Sequence, residues 1–415
     1  MEAKQFTISK RVVKHAYDLV KSNQGGAGVD SQTLEDFDKS LKDNLYKIWN
    51  RLSSGRYFPP PVKAVSIPKK SGGERILGVP TVSDRIAQMV VRLEFEPKVE
   101  RIFLRDSYGY RPNKSALDAI GITRERCWSY NWVLEFDIKG LFDNIRHDLL
   151  LKAVYKHTEL AWVRLYIERW LVAPMQTENG KLHKRVMGTP QGGVISPVLA
   201  NLFLHYAFDK WLQKHYPKTP WCRYADDGLV HCRNKAEAEN MLEVLKQRFE
   251  ECGLELHPVK TRIVYCKDGS RKGSAEHTSF DFLGYTFKRR LVKNSKRNSL
   301  FISFTPAVSK SALKSMRLKI RQLRVRMKTE LSIAQLAKWL NPMINGWINY
   351  YGRYCRSALY GMCRHVNKAL VRWARRKFKS LRRHKTRASQ FLEGIAKQCP
   401  CLFAHWRQGM VGSFA

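Results

Sequence analysis

The spacing of hydrophobic residues changes several times along this chain, and each change predicts a different kind of element. Near the N-terminus, apolar residues recur every three or four positions on a polar background, which predicts helices over 11–22 and 31–53 with Ser31 as a possible N-cap. The same spacing predicts further helices over 83–103 with Ser83 as its cap, over the part of 188–216 that follows a glycine turn, and over 235–253, which ends at Gly253.

Apolar and polar residues alternate in other segments, as they do in half-buried strands. In residues 56–81 this alternation predicts a strand, a turn at "KKSGG" and a second strand. In residues 222–232 it predicts a β-hairpin around positions 225–227. Shorter strands are predicted in 130–145, where a turn and a short helix follow, and in 280–290.

From about residue 306 onward the pattern is helical. Basic amphipathic helices are predicted over 309–327, 333–354 and 359–384, and no internal repeat occurs. The sequence therefore predicts an α+β body followed by an all-helical basic part.

The composition of the chain indicates its size class and the kind of partner it binds. The chain has 415 residues, 44% of them hydrophobic, which indicates two or three subdomains around a substantial core. The formal net charge of +39 points to a polyanion, with nucleic acid the first candidate and an acidic membrane surface the alternative. No apolar run is long enough to span a bilayer and no lipidation motif occurs, which weakens the membrane alternative.

The distribution of charge separates two kinds of segment. After Asp281 the acidic residues are Glu330 and Glu393, whereas basic runs such as 372–387 continue. A part that needs carboxylates, followed by a part that holds a polyanion, would produce this asymmetry. The N-terminus lacks the apolar core of a signal peptide and the nine cysteines are scattered, so we expect reduced thiols in a cytoplasmic protein.

Carboxylates stand at the predicted strand ends. Asp137 ends an apolar strand, Asp226 and Asp227 lie at the predicted hairpin tip, and the turn "GTPQGG" precedes a helix. Converging carboxylates repel one another unless cations neutralise them, and magnesium, a hard ion with oxygen ligands, fits this role. Two such ions can activate a hydroxyl and stabilise a leaving phosphate oxygen. The alternative is an ordinary acidic turn and a helix-capping Asp137.

Ordered motifs resemble those of a known family. The five segments from 136–150 to 280–287 together resemble the successive motifs of a reverse transcriptase. The upstream segments 66–88 and 106–120 resemble those of the group II intron reverse transcriptase/maturases, 23–30 resembles that family's N-terminal extension, and 340–354 resembles its maturase or thumb domain. The motifs are "NQGGAGVD" (23–30), "SIPKKSGGERILGVPTVSDRIAQ" (66–88), "DSYGYRPNKSALDAI" (106–120), "FDIKGLFDNIRHDLL" (136–150), "GTPQGGVISPVLANLFL" (188–204), "YADD" (224–227), "GLELHPVKTRIVYC" (253–266), "FDFLGYTF" (280–287) and "LNPMINGWINYYGRY" (340–354).

The resemblance implies a right-hand polymerase fold of class α+β, with fingers and palm built on antiparallel sheet and followed by an all-helical thumb or maturase domain. The domains it implies are an N-terminal helical extension of the fingers (1–60), the reverse transcriptase fingers and palm (61–295), the helical thumb/maturase domain (296–390) and a short C-terminal tail (391–415).

The resemblance also implies roles for individual residues. Asp137, the carbonyl of Ile138 and Asp226 would hold two Mg²⁺ ions, with Asp227 as a further metal ligand or support, and Lys260 would protonate the pyrophosphate leaving group. The other implied sites are nucleotide binding by Lys69, Arg75, Phe142, Pro190, Gln191 and Gly192, a primer grip at Leu283, Gly284 and Tyr285, and RNA binding by Arg372, Arg375, Arg376, Lys377, Arg382 and Arg383.

Simpler explanations exist for several of these residues. Lys69 and Arg75 also fit solvated surface charge, and Phe142, the implied gate against a 2′-hydroxyl, also fits plain core. Leu141 stands where many relatives have a second aromatic residue, which leaves the exact gate open. The aromatic residues among the C-terminal basic helices fit packing between helices as well as stacking on bases.

The implied function is RNA-directed DNA polymerisation combined with intron maturase activity. The implied partners are group II intron RNA, an RNA template with a DNA primer, target DNA and deoxynucleoside triphosphates, in a nucleoid-associated bacterial ribonucleoprotein. The chain ends at Ala415, so it resembles the branch that lacks the C-terminal H-N-H endonuclease. The alternatives are an RNA-binding splicing factor without polymerase activity and a domesticated reverse transcriptase of a defence or CRISPR-associated system.

Overall fold

Helices and strands are mixed along the chain as far as residue 308, and the elements after it are helical. The computed structural model describes residues 5–68, 72–294, 298–411 and 414. Its helices are α1 (Lys10–Ser22), α2 (Leu34–Lys39), α3 (Leu41–Ser53), α4 (Val82–Glu100), α5 (Ala116–Ser129), α6 (Leu141–Asn144), α7 (His147–His157), α8 (Ala161–Val172), α9 (Ser196–Leu204), α10 (Lys210–His215), α11 (Lys235–Glu251), α12 (Lys310–Gln322), α13 (Ile333–Tyr351), α14 (Tyr360–Lys377) and α15 (Lys385–Gln398).

Strands are concentrated in the first three quarters of the chain. They are β1 (Val62–Pro68), β2 (Glu74–Val79), β3 (Trp132–Asp137), β4 (Met175–Gln176), β5 (Leu182–His183), β6 (Trp221–Tyr224), β7 (Asp227–Cys232), β8 (Arg262–Tyr265), β9 (Ser279–Phe282), β10 (Tyr285–Asn294) and β11 (Ser299–Val308).

The chain divides into two compact units. The first contains Met1–Ala119 and Leu134–Arg262, and the second contains Ile120–Val133 and Ile263–Ala415. The sheet of order β2–β1–β4–β5 lies in the first unit, and the sheet of order β11–β10–β9 lies in the second. A further four-stranded sheet has the order β6–β7–β3–β8, and its strands β3 and β8 each continue across a division of the chain.

The first unit begins with helices whose caps differ from those predicted. The predicted helix over 31–53 is two helices, α2 and α3, and the cap of α2 is Thr33, whose side chain and that of Asp36 satisfy each other's backbone N–H groups. Ser31 has a φ of 56° and so lacks the extended backbone of an N-cap. Thr81, which is extended and accepts from the Asp84 backbone N–H, caps α4, so the prediction of Ser83 as cap was also wrong.

The predicted long helix after the glycine turn is interrupted. It begins at Ser196, and a π-helix, His205–Asp209, separates α9 from α10. The hairpin predicted at 222–232 is confirmed: β6 and β7 pair antiparallel, Tyr224 opposite Asp227, and Ala225 adopts a left-handed φ of 56° in the turn.

The second unit combines a three-stranded antiparallel sheet with helices. The single strand predicted at 280–290 is two strands, β9 and β10, joined by a turn at Leu283 and Gly284. The helix predicted at 309–327 stops at Gln322 because Arg324 is left-handed, with a φ of 47°, and a 3₁₀ turn follows. Similarly, α14 ends at Lys377, before the end predicted at 384, and another 3₁₀ turn precedes α15.

A continuous hydrophobic core holds the helical part of the second unit together. Leu336 and Leu340 on α13 and Trp373 on α14 all belong to this core. The segment after α15 joins it, since Phe403 and Trp406 are buried there. Among the residues that the structure describes, every helix is too short or too polar to cross a bilayer.

Candidate active site

Adjacent strand ends bring the predicted carboxylates together in the first unit. Asp137 is the last residue of β3, Asp227 is the first of β7, and β7 lies next to β3 in the sheet. Asp226 occupies the hairpin turn, where its backbone carbonyl accepts a hydrogen bond from the Ile138 N–H at 3.3 Å. The turn is therefore tied directly to the end of the neighbouring strand.

Glycine permits this close approach of the strands. A Cβ atom at Gly228 would lie 2.1 Å from the Phe136 ring. Gly228 directly follows Asp227, and Phe136 directly precedes Asp137. The ring of Phe136 thus occupies the space over the glycine. Because side chains alternate along a strand, the carboxylates project to the other face of the sheet from this contact.

The electrostatics of the carboxylates call for a cation. Burial raises the pKa of Asp226 above its ordinary value, and the charge of Asp137 raises it further. Burial together with the charges of Asp226 and Asp137 raises the pKa of Asp227 to about 8. The ammonium group of Lys260 supplies positive charge, with its Nζ 3.1 and 3.0 Å from the two carboxylate oxygens of Asp137.

The donor chemistry fits a hard divalent ion, although the side chains do not form a finished metal cage. Within residues 5–68, 72–294, 298–411 and 414, no group of three or more His, Cys, Asp or Glu side chains is arranged to hold a metal ion. The carboxylates are nevertheless close enough to interact, since Asp137 raises the pKa of Asp226, and both of these acids raise the pKa of Asp227. Oxygen donors that repel one another are what a bound Mg²⁺ stabilises.

A second strand pair brings Arg75 to the "GTPQGG" turn. The Nε of Arg75, on β2, donates a hydrogen bond to Oε1 of Gln191. The Gly78 N–H donates to the Gln191 carbonyl at 2.7 Å, and a Cβ at Gly192, whose φ is 121°, would lie 2.5 Å from the Gly78 carbonyl oxygen. Pro190 is buried beside this contact, since a Cβ at Gly78 would lie 3.0 Å from its ring.

Arg75 also belongs to the electrostatic environment of the carboxylates. Its positive charge opposes the rise in the pKa of Asp226. The structure therefore joins Arg75 to Gln191 and places the charge of Arg75 near Asp226, and the role of these residues in nucleotide binding stays a prediction. Lys69, the other predicted phosphate contact on the hairpin, lies outside the described residues.

An aromatic pair borders the acids. Phe142, on α6, is 6% exposed, and its ring meets the Tyr110 ring edge-on at a centroid distance of 6.4 Å. Burial, followed by the charge of Asp226, raises the pKa of Tyr110, so its hydroxyl stays protonated near the acids. Sequence reasoning assigned no role to Tyr110, although it lies in the quoted "DSYGYRPN" segment. Its left-handed φ of 58° is invisible in the sequence.

A buried arginine within the hairpin was also missed. Arg223, on β6, and Asp209, at the end of the π-helix, form an ion pair with both side chains fully buried. A single arginine in a strand usually indicates surface charge, so sequence alone carried no signal for this pair.

The predicted primer-grip residues lie in the second unit. Leu283 and Gly284 form the turn between β9 and β10 with φ values of 50° and 80°. Tyr285 is fully buried, donates a hydrogen bond to the Tyr350 carbonyl, and receives the Tyr351 ring at a centroid distance of 5.6 Å. Tyr350 and Tyr351 of α13, both partly buried, therefore pack against this turn.

The predicted RNA-binding residues differ in availability. The Lys377 ammonium is used internally, donating to the carbonyls of Thr329 at 2.8 Å and Leu331 at 2.9 Å. Arg375 is half-buried and donates to the Arg382 carbonyl at 3.3 Å. The exposed members are Arg372, Arg376, Arg382 and Arg383.

Comparison with known proteins gives two family matches. Residues 67–287 match the family described as reverse transcriptase (RNA-dependent DNA polymerase), and residues 313–391 match the group II intron, maturase-specific domain. The first match covers more than half of the chain.

Individual relatives agree with these matches. The group II intron-encoded protein LtrA of Lactococcus lactis subsp. cremoris is 36% identical over 286 residues, which cover 63% of this chain and 47% of the relative. The chain thus spans about half the length of LtrA. Protein YkfC of Escherichia coli K12 is 31% identical over 313 residues, covering 65% of this chain and 77% of the relative.

A solved telomerase structure from Candida albicans aligns with 91% of this chain and 67% of its own, with 13% identity and a TM-score of 0.44. The family matches and the YkfC similarity confirm the predicted fold class, a mixed α/β polymerase body with a helical C-terminal region. The chain belongs to the reverse transcriptase family and carries the maturase-specific domain of group II introns.

Proposed function

We propose that this protein is an RNA-directed DNA polymerase that also acts as a group II intron maturase. The observation that carries the polymerase proposal is the convergence of Asp137, Asp226 and Asp227 with Arg75 and Gln191 in the first unit. The substrates are deoxynucleoside triphosphates and a DNA primer paired with an RNA template.

The chain's own residues divide the work of the reaction. Two Mg²⁺ ions, held by Asp137, the Ile138 carbonyl and Asp226 with support from Asp227, would supply activation of the primer 3′-hydroxyl and stabilisation of the leaving phosphate oxygen. Lys260, which forms an ion pair with Asp137, provides a proton for the departing pyrophosphate.

Nucleotide selection falls to the residues that border the acids. Arg75 presents a planar fork suited to phosphate oxygens, and Gln191 holds that fork in place. Phe142 and Tyr110 form the aromatic wall at which a 2′-hydroxyl would be excluded. In the second unit, the left-handed turn at Leu283 and Gly284 contacts the primer end.

The maturase part of the proposal rests on the match at residues 313–391 and on the exposed arginines of α14 and the segment after it. In this role the protein binds group II intron RNA, assists its splicing and reverse-transcribes it after the RNA inserts into target DNA. Arginine rows bind RNA by neutralising phosphates, so this contact is electrostatic and salt-sensitive.

Extension of a labelled DNA primer on an RNA template tests the polymerase directly. We expect the wild type to extend the primer with Mg²⁺ and deoxynucleotides. Asp226→Ala/Asp227→Ala should lower extension by at least about 10³-fold, because the double change removes two of the three carboxylates proposed to hold the metal ions.

The matched control removes two exposed carboxylates elsewhere, in Asp18→Ala/Asp43→Ala, and should extend like the wild type. A wild type that binds the template but adds no nucleotide contradicts the polymerase proposal. That result would favour an RNA-binding splicing factor, whose activity is then measured with the cognate intron.

A further inference from the structure

Arg223 lies on β6, within the hairpin that carries Asp226 and Asp227, and its side chain is completely buried. The side chains of Arg223 and Asp209 are both 0% exposed, with Nε 2.7 Å and Nη2 2.6 Å from the two oxygens of Asp209. This is the bidentate geometry that makes arginine–carboxylate pairs directional.

The remaining N–H groups of Arg223 reach three different segments. Nη1 donates to Oδ1 of Asn201 and to the Ala225 carbonyl, both at 3.1 Å, and Nη2 donates to Oγ of Ser107 at 2.8 Å. A guanidinium has five N–H donors, and here each of them has an acceptor. Lysine, with three donors on one nitrogen, cannot reproduce this arrangement.

The Ala225 carbonyl is the contact that matters for the site. It belongs to the peptide that joins Ala225 to Asp226, and Ala225 has the left-handed φ of 56° that turns the chain there. Holding this carbonyl fixes the orientation of the peptide from which the Asp226 side chain departs.

The same network also fixes the segment on the other side of the turn. The Nδ2 of Asn201 donates to the Gly109 carbonyl at 2.7 Å. Gly109 packs so tightly on the turn that a Cβ there would lie 2.4 Å from the Ala225 backbone nitrogen. The next residue along the chain is Tyr110, which borders the acids. The network therefore supports both the metal acid and the aromatic wall.

Stability alone does not account for an ion pair at this position. Replacing a buried ion pair with apolar side chains of similar volume is often neutral or stabilising, because the charges must be desolvated. What apolar side chains cannot supply is the set of directed hydrogen bonds to Ala225, Ser107 and Asn201.

We propose that Arg223 is a positioning residue of the polymerase: anchored by Asp209, it holds the Ala225 carbonyl so that Asp226 is aimed at the metal site. The catalytic part of this inference rests on the proposed function. Metal binding is measured as well as catalysis, so that a failure of the role of Arg223 can be distinguished from a failure of the proposed polymerase function.

Binding of Mn²⁺, a probe that takes the same oxygen ligands as Mg²⁺, is measured by electron paramagnetic resonance on the full chain. Asp226→Ala/Asp227→Ala defines the signal that depends on the acids. We expect Arg223→Lys to weaken the acid-dependent Mn²⁺ binding by about tenfold, as loss of a residue that orients a ligand does.

Arg223→Met/Asp209→Leu is the second variant, because it avoids an unpaired buried charge if Arg223→Lys fails to fold. It should unfold cooperatively near the wild-type temperature and still lose Mn²⁺ affinity by about tenfold. Arg164→Lys is the control, since Arg164 also binds two backbone carbonyls, those of Thr158 and Tyr155, on another part of the first unit. It should bind Mn²⁺ like the wild type.

Steady-state primer extension gives the catalytic readout. The kcat of Arg223→Lys should fall by about a hundredfold, the loss that a displacement of about 1 Å produces. The KM for the deoxynucleotide should change by less than about threefold, because Arg75 and Gln191 are untouched.

A folded Arg223 variant with wild-type Mn²⁺ binding overturns the inference, and so does a wild type whose Mn²⁺ binding does not depend on the acids. A wild type that binds Mn²⁺ through the acids but extends no primer refutes the proposed function instead. In that case the Mn²⁺ comparison between wild type and Arg223 variants still decides the role of Arg223.

Discussion

Asp227 is a carboxyl group whose surroundings oppose its charge at neutral pH. Burial and the charges of Asp226 and Asp137 raise its pKa to about 8. In the unfolded chain an aspartate ionises near about pH 4. Between these values the folded protein holds a proton that the unfolded chain has released, so the free energy of unfolding falls as pH rises. A divalent cation removes this penalty because it neutralises the carboxylate.

In the absence of metal, we predict a pH-dependent difference in the free energy of unfolding between the wild type and Asp227→Asn. Relative to Asp227→Asn, the wild type should lose stability as pH rises from about 5 to about 8, and Mg²⁺ should restore it. The measurement is the urea midpoint of each protein with a chelator and then with Mg²⁺ across this range.

The control for this prediction is Asp148→Asn, because the hydrogen bond from Arg146 lowers the pKa of Asp148 and the opposite sign applies. Asp148→Asn should therefore leave the decline of wild-type stability above pH 5 in place. If the difference in stability between the wild type and Asp227→Asn stays constant with pH, the assignment of the raised pKa to Asp227 is contradicted.

Residues of the site differ in how far the sequence could predict them. The pair Asp226 and Asp227 was predictable because adjacent acids interrupt an apolar run. The buried pair of Arg223 and Asp209 was not predictable, since arginine and aspartate usually lie at the protein surface. Their pairing depends on the π-helix His205–Asp209, which places Asp209 opposite Arg223. A π-helix adds one residue to a helical turn, and the spacing of apolar residues in the sequence does not reveal this extra residue.

At the scale of elements, the contact between β3 and β7 decides whether the carboxylates meet. Phe136 lies over Gly228, so Gly228→Ala places a methyl group inside the space of the ring. We expect a loss of about 1–3 kcal/mol in the free energy of unfolding, the usual cost of overpacking, together with lower polymerase activity. Urea unfolding and primer extension measure the two effects.

Phe136→Leu/Gly228→Ala provides the compensating change, because the smaller side chain gives the methyl group room. It should recover part of the stability that Gly228→Ala loses. Gly346→Ala is the matched control: Gly346 is exposed within α13 and a Cβ there meets nothing within 4 Å, so alanine should stabilise the helix by about 0.5–1 kcal/mol. Equal effects at both glycines would contradict the packing argument.

Element types were predicted better than their ends. Hydrophobic spacing identified α1, the β6–β7 hairpin and α11, since tertiary packing reinforces the pattern there. Caps were misassigned because Ser31 and Ser83 carry suitable side chains, but the backbone is extended instead at Thr33 and Thr81. A side chain caps a helix only where the backbone already leaves the helical region.

At the scale of the whole molecule, the net charge of +39 is divided unevenly, because the acidic residues after Asp281 are Glu330 and Glu393. The first unit uses its carboxylates in ion pairs and in the acid cluster. The second unit has little negative charge to offset its lysines and arginines. Its exposed arginines are therefore free to neutralise phosphates, and the affinity for RNA should depend steeply on salt.

Replacing Arg372, Arg376, Arg382 and Arg383 with alanine tests whether RNA binding belongs to this surface. Each arginine that no longer neutralises a phosphate makes the slope of log K against log salt shallower by about 0.7–0.9, so the fourfold replacement predicts a change of about 3. A control with the same change in net charge replaces exposed cations of the first unit with alanine, namely Lys218, Arg233, Lys235 and Lys246. If charge alone attracted the RNA, both variants would weaken binding equally. A change of slope confined to the first variant, measured with group II intron RNA by filter binding across a salt series, would assign the RNA-binding surface to the helical unit.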